Sequence, residues 1–521
     1  MALADILAAP DKDWVYLVEV TLPTLGLMGW TYGPVASSHI GHATLQFSPF
    51  ISQPISLRIE VGAQEIGGSA GSTWGSINLS WDRDLGLDSL ADAIWDGAPV
   101  TVKLGLSTTQ YSSFSLLFSG NAEAVLYDYN TLSIVLRSPG SKLDDQVQSN
   151  LYLGDGTIYE GYSSLKDTHK PILLGTCYNV TPVLVDRDGG PAKEGKGVFQ
   201  VNDGPIKSVM KVYDGGSVYN TSAGDFPNAI TTDLAVPPAG RFSTDLAKGL
   251  FRIANRTFEQ VTADVEGVNN DPVAAFAEYA SECVRHLAQV RGHLTNGELD
   301  IPSFATLWTD DTYKIGWYSG QNVYTVIAVI REILDGSGAY AYFTPLGSLS
   351  VGQLRWRTSS LSILHNSGQG IVLSVQRVQS PLPVWSWTLG YKKNWTVQTE
   401  LGASLVAGDP QYEFARTEYR KTCYEDTATK TTHPLAREVE SNSFYNAAAD
   451  ALAEATRRLG NMNSGAATFE VVFAEVQWLI KVGTTITISY PRFGWDNGFD
   501  FIVLSVAEDA VSKLTTVLVY G

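Results

Sequence analysis

The chain has 521 residues, enough for roughly three to four domains. Its 54 acidic and 36 basic residues leave a formal charge of −18, which argues against gripping nucleic acid or an anionic membrane as its main task. Apolar residues at 44% give ample cores, charged residues at 17% fall below the usual share, and three cysteines (Cys177, Cys283, Cys423) make neither a disulfide framework nor a zinc or iron–sulfur site.

The opening MALADILAAP has no basic stretch and is interrupted by Asp5, so no secretory signal is expected. The longest apolar runs, around Val323–Ile330, are far shorter than the roughly 20 residues that span a bilayer. Synthesis in the cytoplasm is the expectation. Up to about residue 150 the chain reads as strands: Val15–Leu22, Ile55–Val61, Ser76–Trp81, Val100–Leu106, Ser113–Phe118, Ala122–Tyr127 and Thr131–Arg137. These are β-branched or aromatic runs broken by Gly, Asp or Asn. One helical turn, Asp88–Trp95, has Asp88 as its cap and ends at Asp96-Gly97.

Residues 151–240 continue the β pattern. Asp155-Gly156, Asp203-Gly204 and Asp214-Gly215 are tight-turn pairs, and Asp186–Gly197 reads as an exposed loop. Pro237–Gly240 marks a boundary. Residues 241–380 are mixed α/β. Asp271-Pro272 opens a helix carrying Val273, Phe276, Ala277, Ala280, Val284 and Leu287, with Gly292 just past its end. A second helix carries Val323, Val326, Ile327, Ile330 and Leu334 and stops at Asp335-Gly336; Ala339–Phe343 and Leu349–Leu354 then flank Gly347 as a hairpin. Ser380–Pro383 is the next boundary. Residues 381–521 return to β, with a helix Ala447–Leu459 capped by Gly460 and strands Ala467–Phe473, Thr484–Tyr490, Phe499–Ala507 and Leu514–Tyr520. The strand-and-turn pattern of 97–137 is echoed by 482–520, as a duplicated barrel would require. The chain is therefore expected to be mainly β (α+β), with a barrel at 1–150, a β-rich insertion at 151–240, a mixed unit at 241–380 and a second barrel-like unit at 381–521.

Chemistry motifs fail one by one. Gly67–Gly71 fits the G-x-S-x-G expression around Ser69, but a helix should follow and a second strand does instead. Asp186-x-Asp188-Gly189 has glycine too early for a calcium loop, and Lys193 and Lys196 lie inside it. Asp82, Asp84, Asp88, Asp92 and Asp96 form the densest carboxylate group, which reads as a solvated acidic turn. The histidines, of which His39 and His42 are the nearest pair, make no metal-binding spacing, and no phosphate-binding glycine loop is present. Trp385, Trp387 and Trp395 cluster, either as core and interface or as a sugar platform. No catalytic, cofactor-binding or metal-ligating residue is assigned, and no cofactor is expected.

Four stretches taken in order resemble the baseplate-hub or tail-tip hub proteins of long-tailed bacteriophages. They are WDGAPV leading to FSG and VLYDYNTLSIVLRSPGSKLDDQV; HKPILLGTCYNVTPVLVD with VFQVNDGPIKSVMKVYDGG; VIAVIREILDGSGAYAYFTPLGSLSV; and the run from Val482 to Gly521. The resemblance implies two tail-tube-like β-barrels with smaller domains between them. It implies a non-enzymatic homotrimer at the tail tip of a virion, whose six barrels adapt a sixfold tube to threefold parts. Its partners would be tube-ring proteins, tape-measure protein, fibres or a central spike, with DNA passing through during ejection. An acidic chain suits such a channel, since like charge suppresses phosphate contacts. A receptor- or carbohydrate-binding tail protein is the alternative, and a cell-wall hydrolase using Ser69 or Asp82–Asp96 a distant third.

Overall fold

The computed structural model describes residues 2–9, 12–33, 35, 40–61, 70–80, 88–137, 139–157, 159–186, 197–254, 260–269, 275–363, 372–379, 382–401, 406–462 and 466–521. The fold is mainly β, as the strand signals predict.

Near the N-terminus, strands Gly26–Tyr32, Trp14–Leu22, Pro99–Leu106, Ser115–Tyr127, Thr131–Arg137, Ser76–Ser80 and Ile51–Gln53 lie side by side in one antiparallel sheet. A bridge between Trp30 and Ser48 brings its two edges together, with the Thr31 N–H donating to the Ser48 carbonyl at 2.9 Å. Alternation explains its core. Trp14, Tyr16, Val18 and Val20 point inward with Leu132, Ile134 and Leu136, while Val15 and Leu17 point to the other face, against Phe47 and Phe114.

At the other end, Leu361–Ile363, Thr485–Ile488, Phe499–Asp509, Leu514–Tyr520, Thr468–Phe473 and Val372–Gln379 form a second sheet. Two of its strands come from the start of the chain. Ser56–Val61 pairs antiparallel with the later half of Phe499–Asp509, and Ala70–Trp74 pairs with Ser56–Val61. Sheet membership thus crosses the expected divisions at both ends of the chain, because Leu361–Ile363 and Val372–Gln379 also join this sheet.

Between the two, Leu173–Val180, Ile206–Asp214, Val261–Val268 and Gly316–Tyr318 belong to one five-stranded sheet, and Val198–Gln200, Arg241–Asp245 and Leu250–Ile253 to another. Where Leu173–Val180 meets Gly316–Tyr318 the backbones come unusually close. A Cβ on Gly316 would lie 1.9 Å from the Thr176 carbonyl oxygen, so only glycine fits.

The amphipathic helix forms as Val326–Gly336, capped by Thr325, and buries Val326, Val329, Ile330, Ile333 and Leu334 against the hairpin Ala339–Phe343/Leu349–Gln353. Three helix expectations need correction. The helix expected from Asp271 begins only at Ala280, because Phe276 and Tyr279 are held in bridges to Asn269 and Lys314; residues 270–274 lie outside the described ones. Gly460 is not a cap, since the last helix runs through it as Ala448–Met462. Asp88–Ala91 is a single turn, after which the buried Trp95 donates its indole N–H back to the Leu90 carbonyl.

Candidate interaction site

The strongest concentration of unusual chemistry lies where the first sheet, the second sheet and the 339–353 hairpin meet. The hairpin is fastened there by two bonds to its turn: the Ser119 N–H donates to the Pro345 carbonyl, and the Ser72 hydroxyl to the Phe343 carbonyl, both at 2.9 Å. A cleft of about 410 Å3 opens between these pieces. Leu57 and Ile59 form one wall, Leu116 and Leu117 a second, and Tyr342, Leu346 and Trp478–Val482 the rest. Leu116, Leu346 and Leu479 are exposed at their outer ends.

Glu508 lies in this apolar wall, 5% exposed, opposite Leu57 on one neighbouring strand and Thr515 on the other. One carboxyl oxygen accepts from the Thr515 hydroxyl and, at 3.2 Å, from the Gln477 N–H. The other accepts nothing. Burial pushes the group up to about 8, and those two donors offset only part of the shift, so the carboxyl is largely protonated at pH 7. The buried Tyr16 hydroxyl and Trp478 indole N–H lie near each other without a well-formed hydrogen bond, and the Tyr16 phenol is pushed upward by burial, an effect that Trp478 offsets in part.

The same strand that contributes Leu116 and Leu117 runs on, within the first sheet, into a hairpin whose second strand is itself paired with Ser76–Ser80. Its strands Ser115–Tyr127 and Thr131–Arg137 are joined by a turn in which Asp128 accepts from the N–H groups of Asn130 at 2.8 Å and Thr131 at 2.7 Å. The turn holds apolar side chains in solvent: Leu126 is 63% and Tyr129 91% exposed.

A second buried acid, Glu454 on helix Ala448–Met462, is satisfied completely. It accepts from Arg457 and, at 2.7 Å, from Arg458, which reach on to the carbonyls of Leu354 and Gly336. Burial alone would raise Glu454, but the charges and hydrogen bonds of the two arginines together outweigh it and hold the carboxyl below its usual range. Nearby Asp311, raised to about 6 by burial and by the Glu454 charge, accepts from the Tyr445 hydroxyl at 3.1 Å.

Among the described residues, those singled out in sequence lie apart from one another. Asp88, Asp92 and Asp96 are exposed on their turn, whereas Ser69, Asp82, Asp84, His39, Asp188 and His365 lie outside the described residues. His42 folds its ring nitrogen onto the N–H groups of Thr44 and Leu45, a local turn. Trp385 is buried beneath the Lys430 ammonium at 3.5 Å, Trp387 is buried with its indole donating to Ser441, and Trp395 stacks on Phe444. Two of the three rings are thus covered, and Trp395 is half-buried. Among the described residues no group of three or more His, Cys, Asp or Glu side chains could hold a metal ion, and no helix is long and apolar enough to cross a membrane.

No family model and no curated protein matches the chain. Solved structures similar to it include the tail protein of Neisseria meningitidis MC58, at 10% identity over 97% of this chain and 96% of that one, with a TM-score of 0.40. The 43 kDa tail protein of prophage MuSo2 from Shewanella oneidensis is 10% identical over 97% of this chain and 98% of that one, with a TM-score of 0.35. A chain of the native gene transfer agent virion is 12% identical over 68% and 84%, with a TM-score of 0.43. The neighbours are phage tail and virion proteins.

Glu508 escaped the sequence reading. The strand expected at Phe499–Ala507 runs on to Asp509, so Glu508 falls inside a ladder instead of in the turn beyond it. The signal was present: Glu508 faces the Val-Leu-Val-Tyr strand across the Lys513 turn, and a period-two count from Val506 puts it on the buried face.

Proposed function

We propose that the chain is a structural, non-enzymatic component of a phage virion. It works as a trimeric hub at the tail tip, capping the tube, joining sixfold to threefold parts and enclosing the gated channel for tape-measure protein and DNA. Tube-ring proteins and the fibres or spike are its neighbours in that assembly. One observation supports this reading most. A single subunit carries two large, mainly antiparallel sheets side by side, because the strands Ser56–Val61 and Ala70–Trp74, early in the chain, complete the second. Three subunits then offer six such units in fixed pairs, which is what a threefold part needs to meet a sixfold ring. The net charge of −18 suits a passage that DNA crosses without adhering.

Light scattering on the purified native protein tests the proposal. A particle mass near three times the 56.4 kDa subunit is expected, with a central channel on imaging. A mass near six subunits points to a tube-like ring protein instead, and a monomer at high concentration ends the hub reading.

A further inference from the structure

Three cations crowd the joint between the sheet that contains Leu173–Val180 and the three-stranded sheet of Arg420–Glu425, Val384–Tyr391 and Arg437–Asn442. The joint is fixed by a bridge between Tyr178 and Asn394, and by the Asn179 side-chain N–H, which donates to the Asn394 side-chain oxygen at 2.7 Å. Lys392 directly follows Val384–Tyr391, and Arg420 stands opposite Tyr391 in the ladder, so register sets these two cations side by side. Both reach one ring. The Lys392 ammonium is 5.4 Å and the Arg420 guanidinium carbon 5.3 Å from the centre of Phe414, and the ammonium is also 4.3 Å from the centre of Tyr178. Lys211 approaches from the other sheet, on Ile206–Asp214 opposite Asp264, whose carboxyl accepts from the Asn179 N–H next to Tyr178.

The arrangement is costly in the isolated chain. Lys392 has a φ of +49°, left-handed backbone that a residue with a side chain adopts only at a penalty. Burial and the charge of Arg420, with Lys211 adding to them, hold its ammonium below the usual lysine range, and Asp264 offsets only part of this. The aromatic rings attract the ammonium but neutralise nothing. Among the described residues none of the three cations forms an ion pair with a carboxylate, in a chain with 54 acidic residues against 36 basic ones. Asp264 is buried, and its oxygens are taken by the Asn179 N–H at 2.9 Å and the Tyr213 hydroxyl at 2.8 Å. Even with Asp264 counted as ionised, 3 − 1 leaves +2 in one patch of a chain whose total is −18.

We propose that Lys211, Lys392 and Arg420 form a binding site for a phosphate dianion, either free phosphate or a phosphate monoester. The planar fork of Arg420 suits two phosphate oxygens, and the ammonium groups act as point charges on the rest. A monoester carries about −1.5 to −2 at pH 7, which matches the patch, whereas each phosphodiester of DNA carries a single charge. The fixed backbone of Lys392 leaves little to be ordered when the anion arrives. The site shares no residue with the Glu508 cleft and stands whichever assembly the subunit joins.

Thermal melting of the full chain in inorganic phosphate, against sodium chloride at equal ionic strength, tests it. Phosphate should raise the melting temperature saturably and chloride should not. Titration calorimetry should show Lys211→Gln, at an exposed position, weakening phosphate binding about tenfold, and Lys392→Met or Arg420→Gln at least as much. Coincident phosphate and chloride curves for the wild type overturn the site. So does a phosphate response that Lys211→Gln and Lys392→Met leave intact, since the anion then sits elsewhere. Glycerol 1-phosphate separates the two sources, and either result supports the site: displacement of inorganic phosphate shows that a monoester is accepted, and its failure confines the site to the free ion. A single-stranded DNA oligonucleotide without terminal phosphate should not displace the anion; displacement at equal or lower phosphate concentration overturns the preference for a dianion.

Discussion

Two carboxyl groups, each almost wholly buried, have opposite fates in this molecule. Glu454 is wrapped by Arg457 and Arg458 and stays ionised, while Glu508 has only a hydroxyl and a backbone N–H on one oxygen and is pushed up to about 8. Depth is nearly the same at 1% and 5% exposure, so burial cannot be what separates them. Partners decide. The first acid is a fastener joining helix Ala448–Met462 to the carbonyl end of Val326–Gly336, where arginine also suits the helix dipole. The second is an incompletely partnered group in an apolar wall, and its remaining oxygen is buried without a hydrogen bond.

Removing the fastener should have the largest effect. Glu454→Ala leaves two buried guanidinium groups without their anion and should cost about 3–5 kcal/mol in urea unfolding. A loss below 1 kcal/mol would mean that the arginines are held by the carbonyls alone. Glu508 should behave in the reverse sense. Its native value of about 8 lies above the usual 4.5, so the folded chain holds this proton more tightly than the unfolded one. Its contribution is complete below about pH 4.5 and is lost as pH rises through about 8, at on the order of 1 kcal/mol per pH unit. Glu508→Gln should therefore gain on the wild type as pH rises, by roughly 3–5 kcal/mol between pH 4.5 and pH 8, measured as melting difference against pH. A pH-independent difference would place the titrating proton elsewhere. Tyr445→Phe, which takes one donor from the buried Asp311, should cost about 1–2 kcal/mol and raise the Asp311 value further above 6, followed by the pH dependence of unfolding. The solvated limit is Arg58–Glu60, a 2.8 Å pair with side chains 60% and 42% exposed. Arg58→Ala should change stability by no more than about 1 kcal/mol and lose even that in high salt.

Local order was legible where local physics sets it. The helix Val326–Gly336 and its following hairpin follow from apolar spacing and from Gly347, whose φ of +80° few other residues accept. The helix Ile301–Asp310 went unread although Asp300 and Pro302 give a good start and Phe304 and Leu307 fall on one buried face; its short length and polar surroundings hid the period. Pairing was not legible at all. Nothing in the letters of Ser56–Val61 says that its partner is Phe499–Asp509, because any two strands with matching alternation satisfy the same pattern. The candidate site inherits that blindness, since the cleft exists only where strands distant in sequence converge. Glu508 read alone is one acid among many.

The strand exchange also sets a timetable for biosynthesis. Residues 56–61 leave the ribosome early, but the strand that receives them is made only after most of the chain has followed. Until then the early segment can pair with Ala70–Trp74 but waits with one edge of backbone N–H and C=O groups open, a template for misplaced pairing with other nascent copies. Maturation is thus tied to completion of the polypeptide: a subunit interrupted before Phe499–Asp509 has no finished second sheet, and its early strands lack the partner that fixes them.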